Sequence, residues 1–407
     1  MTDRSGASEA GPDAGLDTPT TDLATLDAAI DDADAVGFVA VGPGFDPTLR
    51  YLTRIGGLDR EYAFVRLPGR SVVCAPAGTV ERVAGSFDDT VAADRVGDPA
   101  GERAAAVLDG RGADGSASSG AVLVPRTIPH DAAVHLERAG YELRSTAAVA
   151  EARAVKSGDE VDAIAAVQRA AAAGVREAER VLATAPVGDG GLRRDGEPLT
   201  AERLRRATNA ELARRGVTDA DNTVVSPGPE AADGRRNRRS RIRAGEPVAV
   251  AVAPRGPFGY HGAVARTVAV DSDGGWERRA YVAVESALDA ALAEVEAGAV
   301  AAAVGREAHA ELAAFGFDPA TASAPGCGVG LSRRERPRLD AGARLGPRNA
   351  VPGEPRGALP LVREVSAQLN GLKRGRGPVA VRALRGVAVL VLGRLAAPQC
   401  LDGAHLR

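Results

Sequence analysis

The chain has 407 residues, 44% of them hydrophobic and 26% charged, with a net charge of −3; this allows two domains with sizeable cores and argues against general disorder. Three widely spaced cysteines, Cys74, Cys327 and Cys400, do not form the dense pattern of a disulfide framework and suit a reducing interior. The longest aliphatic run, Val387 to Leu392, is too short to cross a bilayer, and the polar start lacks the basic and apolar parts of a signal peptide, so a cytoplasmic protein without membrane contact is expected.

Residues 1–20 are rich in Gly, Ser, Thr, Asp and Pro and read as a disordered tail. Leu23 to Ile30 has helical spacing. Val36 to Val41 reads as a buried strand, and Ala63 to Leu67 followed by Ser71 to Cys74 reads as a hairpin over Pro68-Gly69. Ala104 to Leu108 is predicted helical, Ala121 to Pro125 a strand, His130 to Ala139 a helix and Tyr141 to Leu143 a strand. This alternation predicts an α/β domain with a mixed sheet over residues 21–152.

A second domain is expected over 153–332. It opens on Arg153-Ala154-Val155-Lys156-Ser157-Gly158-Asp159-Glu160-Val161. Here Ser157 and Glu160 form a capping box, and Val161, Ile164, Val167 and Ala171 follow at helical spacing. Thr200 and Glu202 open a helix that runs through Leu212 to Gly216. Pro247 to Ala253 and Arg266 to Val270 read as paired strands. Ala280 to Val295 and Val304 to Phe315 read as helices, the latter closing at Gly316. From Arg333 onward the text becomes basic: fifteen Lys or Arg against five Asp or Glu, a net +10, which leaves −13 for the rest. Residues 333–407 are therefore read as a divergent C-terminal segment.

Three groups of residues resemble motifs of the creatinase/aminopeptidase, or pita-bread, metallopeptidase family, which includes the Xaa-Pro aminopeptidases. The opening at Arg153 matches "R-x-x-K-S-x-x-E-[IV]". Residues 251–267 keep the frame of the metal hairpin at Pro254, Gly256, Gly259, Tyr260, Gly262, Arg266 and Thr267. Ser323 to Glu335 aligns with "H-G-x-G-H-G-x-G-L-x-x-H-E" and retains Gly326, Gly328 and Gly330. Tyr51-Leu52-Thr53 adds a weaker N-terminal likeness. The resemblance implies an α+β protein, with an N-terminal α/β creatinase-like domain followed by a pita-bread domain whose C-terminal part is degraded. It also implies descent from a homodimeric enzyme that cleaves residues before proline with two Mn, Co or Zn ions.

Such an enzyme needs hard oxygen donors and an imidazole around a bridging water. The family supplies two Asp on the hairpin, one His on a later strand and two Glu near the C-terminus. In this chain the Asp positions read Ala251 and Ala263, and the ligating His reads Cys327. The pocket histidines read Ser323, Arg334 and Arg235. Glu354, followed by Pro355, and Glu364 align with the glutamates as vestigial ligands. Catalytic residues and bound metal are accordingly not expected, and the family reading becomes an Xaa-Pro aminopeptidase-like protein without activity. The alternative is a non-catalytic peptide- or protein-binding module on the same fold, taking peptides with proline at the second position. Relatives that lost their metals, such as a large histone-chaperone subunit, set that precedent.

The residues also suggest two other chemistries. His261 lies two residues before Ala263 and with Cys327 and Glu354 could complete a three-ligand zinc site. Six arginines between Arg235 and Arg243 form a charge run suited to phosphates, but without interleaved aromatics nucleic acid is not the expected partner. The Arg/Gly/Pro-rich text after Ser332 also resembles a GC-rich gene read in a shifted frame.

Overall fold

The computed structural model describes residues 16–345 except 57–59, 77, 84–86, 88, 93–96, 111–119, 189, 229–238, 257, 272–274, 318–325, 340–341 and 343, together with strands at 360–367 and 384–391. The chain divides into two compact units, Thr18–Val155 and Lys156–Arg407.

In the first unit, α1 (Ala24–Asp32) leads into β1 (Ala35–Pro43) and α2 (Pro47–Thr53). Asp46 caps α2, its carboxylate accepting from the amides of Thr48 and Leu49 at 2.9 Å each. There follow β2 (Glu61–Leu67), β3 (Arg70–Ala75), α3 (Val80–Val83), β4 (Asp89–Ala92), α4 (Ala100–Asp109), β5 (Ala121–Pro125), α5 (His130–Arg138), β6 (Glu142–Thr146) and α6 (Ala148–Ala154). The six strands form one sheet in the order β4-β3-β2-β1-β5-β6. The pairs β1/β2 and β2/β3 are antiparallel, and the remaining three pairs are parallel. This is the mixed sheet that the alternation of elements predicts. Val39, Val65, Val72 and Val122 enclose its core with Ala104, Leu108 and Leu136. At its start, Thr21 donates to the carbonyl of Tyr51 and Arg54 donates to that of Thr20.

The second unit opens with α7 (Gly158–Thr184). Both halves of the predicted capping box are present: Glu160 N–H donates to Ser157 Oγ at 3.2 Å, and Ser157 N–H donates to Glu160 Oε2 at 2.9 Å. Three short strands, β7 (Val187–Gly188), β8 (Gly191–Arg194) and β9 (Glu197–Pro198), precede α8 (Ala201–Arg214), which is capped by Thr200. Next come β10 (Val224–Pro227), β11 (Pro247–Val252) and β12 (Val264–Ala269), an antiparallel sheet in that order. Val248, Val250 and Val252 of β11 are buried against α7 and α8, at about 1.5–3 kcal/mol each. The alternate residues Ala249 and Ala251 occupy the other face.

Helices α9 (Trp276–Ala293) and α10 (Ala301–Ala314) pack through Ala280, Ala283, Ala287, Val304, Ala308 and Leu312. A second sheet has the order β14-β13-β15-β16, with β13 Cys327–Gly328, β14 Glu335–Arg338, β15 Pro360–Ala367 and β16 Leu384–Val391. Leu339 and Leu345, 3% and 1% exposed, join the core beneath α9 and α10. The backbone of β16 lies alongside β12, so the two small sheets adjoin. Helices outside such a sheet give the α+β pita-bread architecture expected from the motifs.

Candidate functional site

The site is built on the β11–β12 hairpin. Ala251 pairs directly with Ala265, and Val252 with Val264. Ala251 and Ala265 thus share one face, opposite the buried valines. Beyond the paired strands the chain loops through residues 253–263. Arg255 and His261 bridge across this loop, Gly256 N–H donates to the carbonyl of Tyr260, and Gly262 N–H donates to that of Pro254.

Ala263 is held from outside the hairpin. Its N–H donates to Gln168 Oε1 at 2.9 Å, and Gln168 Nε2 donates back to its carbonyl at 3.2 Å. The preceding Gly262 lies so close to α7 that a Cβ there would come within 2.9 Å of the main-chain nitrogen of Gln168. The loop is also tied to the start of α7, since the Tyr260 hydroxyl donates to Glu160 Oε1. Glu160 therefore serves the capping box with one oxygen and the hairpin loop with the other.

The same helix start reaches the strand that carries Cys327. Lys156 Nζ lies 3.2 Å from Glu335 Oε2, with both side chains almost fully buried. Glu335 Oε1 accepts from Ser332 N–H at 2.8 Å. Gly330 leaves room for this pair, because a Cβ there would come within 2.5 Å of Glu335 Oε2. Sequence reasoning took Lys156 and Glu160 as parts of a capped helix and missed their second partners. One signal was present: Lys156 is one of only two lysines in a chain that otherwise uses arginine.

His261 is 8% exposed. Its main-chain N–H donates to the carbonyl of Gly330 at 2.8 Å, and its ring Nδ1 lies 3.4 Å from the carbonyl oxygen of Ala253. Burial pushes its pKa down to about 4, with the charges of Arg255 and Arg333 acting in the same direction. The imidazole is thus neutral near pH 7. Cys327, 8% exposed, sits in β13 between Arg338 and Val362 of the neighbouring strands. Glu364 lies on β15 opposite Val387, two residues on from Val362. Glu354, Ser323 and Arg235 lie outside the described residues.

A pair of divalent ions needs several oxygen donors converging on it. The methyls of Ala251 and Ala263 offer none. Among the described residues no group of three or more His, Cys, Asp or Glu is arranged to hold a metal ion. Among the described residues, the donors around this hairpin do not make up the set that a two-metal centre needs, and His261 with Cys327 does not complete a three-ligand set.

The paired sheets, outer helices and metal-hairpin frame define the pita-bread class of metallopeptidase fold. The family model "Metallopeptidase family M24" matches residues 162–364, and the chain belongs to that family. The match continues past Ser332, where the likeness in the sequence becomes hard to follow. No curated protein sequence matches the chain. Among solved structures, an Xaa-Pro dipeptidase from Bacillus anthracis is similar at a TM-score of 0.72 and 15% identity, over 91% of this chain and 93% of that one. Dipeptidase PepE from Mycobacterium ulcerans is similar at 0.67 and 24% identity, over 91% and 92%. The N-terminal domain of FACT complex subunit SPT16 from Cicer arietinum (chickpea) is similar at 0.67 and 14% identity, over 92% and 95%. At these identities the likeness speaks for the fold.

Proposed function

We propose that this M24 protein is an Xaa-Pro aminopeptidase-like chain that does not hydrolyse peptides through a dinuclear metal centre. The observation that carries this reading is the pair of alanines, Ala251 and Ala263, on a hairpin otherwise kept in the family's frame. Without their carboxylates, too little negative charge remains to hold two dications close together. Arg334 also stands where the family has an imidazole to stabilise the tetrahedral intermediate. The test compares the purified chain with an Ala251→Asp, Ala263→Asp, Cys327→His variant for metal content and Xaa-Pro hydrolysis. The unmodified chain is expected to hold well under one metal per molecule and to show no turnover above buffer. Chelator-sensitive turnover by the unmodified chain would overturn the proposal.

A second reading is a binding module for peptides with proline at the second position. It is favoured by the retention of contacts that shape the hairpin, from Gln168 to Ala263 and from Glu160 to Tyr260, after the donors themselves are gone. This reading requires saturable peptide binding that survives chelator. A homodimer in the cytoplasm completes the proposal, and sedimentation of the purified chain tests its oligomeric part.

A further inference from the structure

The extended segment around Ile242 has an edge that the hairpin site does not use. We propose that this edge, centred on Arg241, docks an extended acidic peptide segment of a partner protein, laid antiparallel to it. Ile242 is fully buried, while Arg239, Arg241 and Arg243 are exposed, so the arginines alternate with inward-facing residues as on a strand. Arg241 bridges antiparallel to Thr200. The flanking bonds run from Ala201 N–H to Ser240 O at 2.9 Å and from Ile242 N–H to Leu199 O at 3.0 Å. Arg241 and Thr200 are therefore a non-hydrogen-bonded pair, and the main-chain N–H and C=O of Arg241 point away from Thr200. Among the described residues these two groups make no hydrogen bond, so they are open to an added strand.

The side chains around this edge set the charge of its partner. Arg241, Arg243 and Arg193 lie over the glycines of the β7–β8 turn: Arg241 Nη1 is 3.9 Å from where a Cβ would stand at Gly190, Arg243 Cγ 3.5 Å from one at Gly191, and Arg193 Cδ 2.8 Å from one at Gly188. Glu246 lies 3.5 Å from Arg243, Asp195 lies 3.6 Å from Arg194 and from Arg203, and Glu197 pairs with Arg194 across β8 and β9. Arg241 forms no ion pair among the described residues. Side chains two residues apart on a strand stand about 6.5–7 Å apart, which is also the repeat of alternate carboxylates on an extended peptide. A glutamate directly opposite Arg241 falls on the same side as its guanidinium and accepts a charge-assisted hydrogen bond, while its main chain exchanges both bonds with Arg241. None of these residues is aromatic, so bases have nothing to stack on, and the edge suits a peptide better than a nucleic acid. None belongs to the alanine-bearing hairpin either: metal in the purified protein would overturn the proposed function and leave this edge unaffected.

The experiment titrates the full chain, in chelator, into a fluorescent peptide of alternating Glu and Thr and follows its anisotropy. Saturable binding that weakens as salt rises is expected, and the same peptide with Gln for Glu should bind at least about tenfold more weakly. Arg241→Gln and Arg243→Gln should each lower the affinity about fivefold or more. Arg306→Gln, on the exposed side of α10, should leave it unchanged. N-methylation separates edge pairing from bare charge. Methyl groups on the Glu nitrogens should weaken binding about tenfold, and on the Thr nitrogens should leave it nearly unchanged, because only the residue opposite Arg241 exchanges main-chain bonds with it. Equal affinity for the Glu and Gln peptides, equal binding by the parent and both arginine variants, equal effects of the two methylations, or tighter binding of a thymidine oligonucleotide of the same length overturns the proposal.

Discussion

A buried ammonium is costly to strand, and Lys156 is 5% exposed on its side chain beside a Glu335 that is 6% exposed. Removing either partner takes a buried counter-charge from the other. Lys156→Met or Glu335→Gln is therefore expected to cost about 3–5 kcal/mol in urea unfolding. A Lys156→Met, Glu335→Leu double variant should recover much of this; equal losses in single and double variants would refute the pair. His261 makes a separate prediction. Its folded pKa of about 4 lies below the ordinary value of 6.5, so between those values the unfolded chain binds more protons. Stability from this residue is full above pH 6.5 and falls as pH drops toward 4, by about 3 kcal/mol in all. A His261→Gln variant should show a flatter pH dependence over that window; a parallel curve would refute the assignment. The alanines and the cysteine that stand in the motif frame, Ala251, Ala263 and Cys327, could be read from the sequence alone. The partners of Lys156 and Gln168 could not, because pairings 179 and 95 residues apart leave no local pattern.

Elements were legible where one physical rule governed them. The capping box at Ser157 and Glu160 marked the start of α7, and the run from Pro247 to Ala253 marked β11 as a strand. β12 begins at Val264, ahead of the predicted Arg266, because pairing with Val252 and Ala251 brings two further residues into the ladder. The α9 helix also starts earlier than Ala280, at Trp276. The approach of the hairpin to α7 was not legible, since a glycine does not announce what lies opposite it. This contact gives a comparison between two glycines. Gly262→Ala would press its methyl on the α7 backbone and is expected to cost about 1–3 kcal/mol. Gly158→Ala, at the exposed start of α7 with nothing within 4 Å, should be neutral or stabilising by up to about 1 kcal/mol. Thermal unfolding of the two variants checks this, and equal effects would refute the close approach.

At the scale of the whole molecule, the chain forms two units with their own cores, while the sequence shows an alternation of elements followed by long helices and a hairpin. The C-terminal end was less readable, because charge and composition dominate its text. Glu335 pairs with Lys156, Leu339 and Leu345 are core residues, and the family model matches through residue 364, so a shift of reading frame near Ser332 does not explain the basic composition of this end. The Lys156–Glu335 contact also bears on how the chain is made. Ribosomes deliver α7 long before residue 335, so the carboxylate that Lys156 meets in the folded unit reaches it only when the last quarter of the chain has been made.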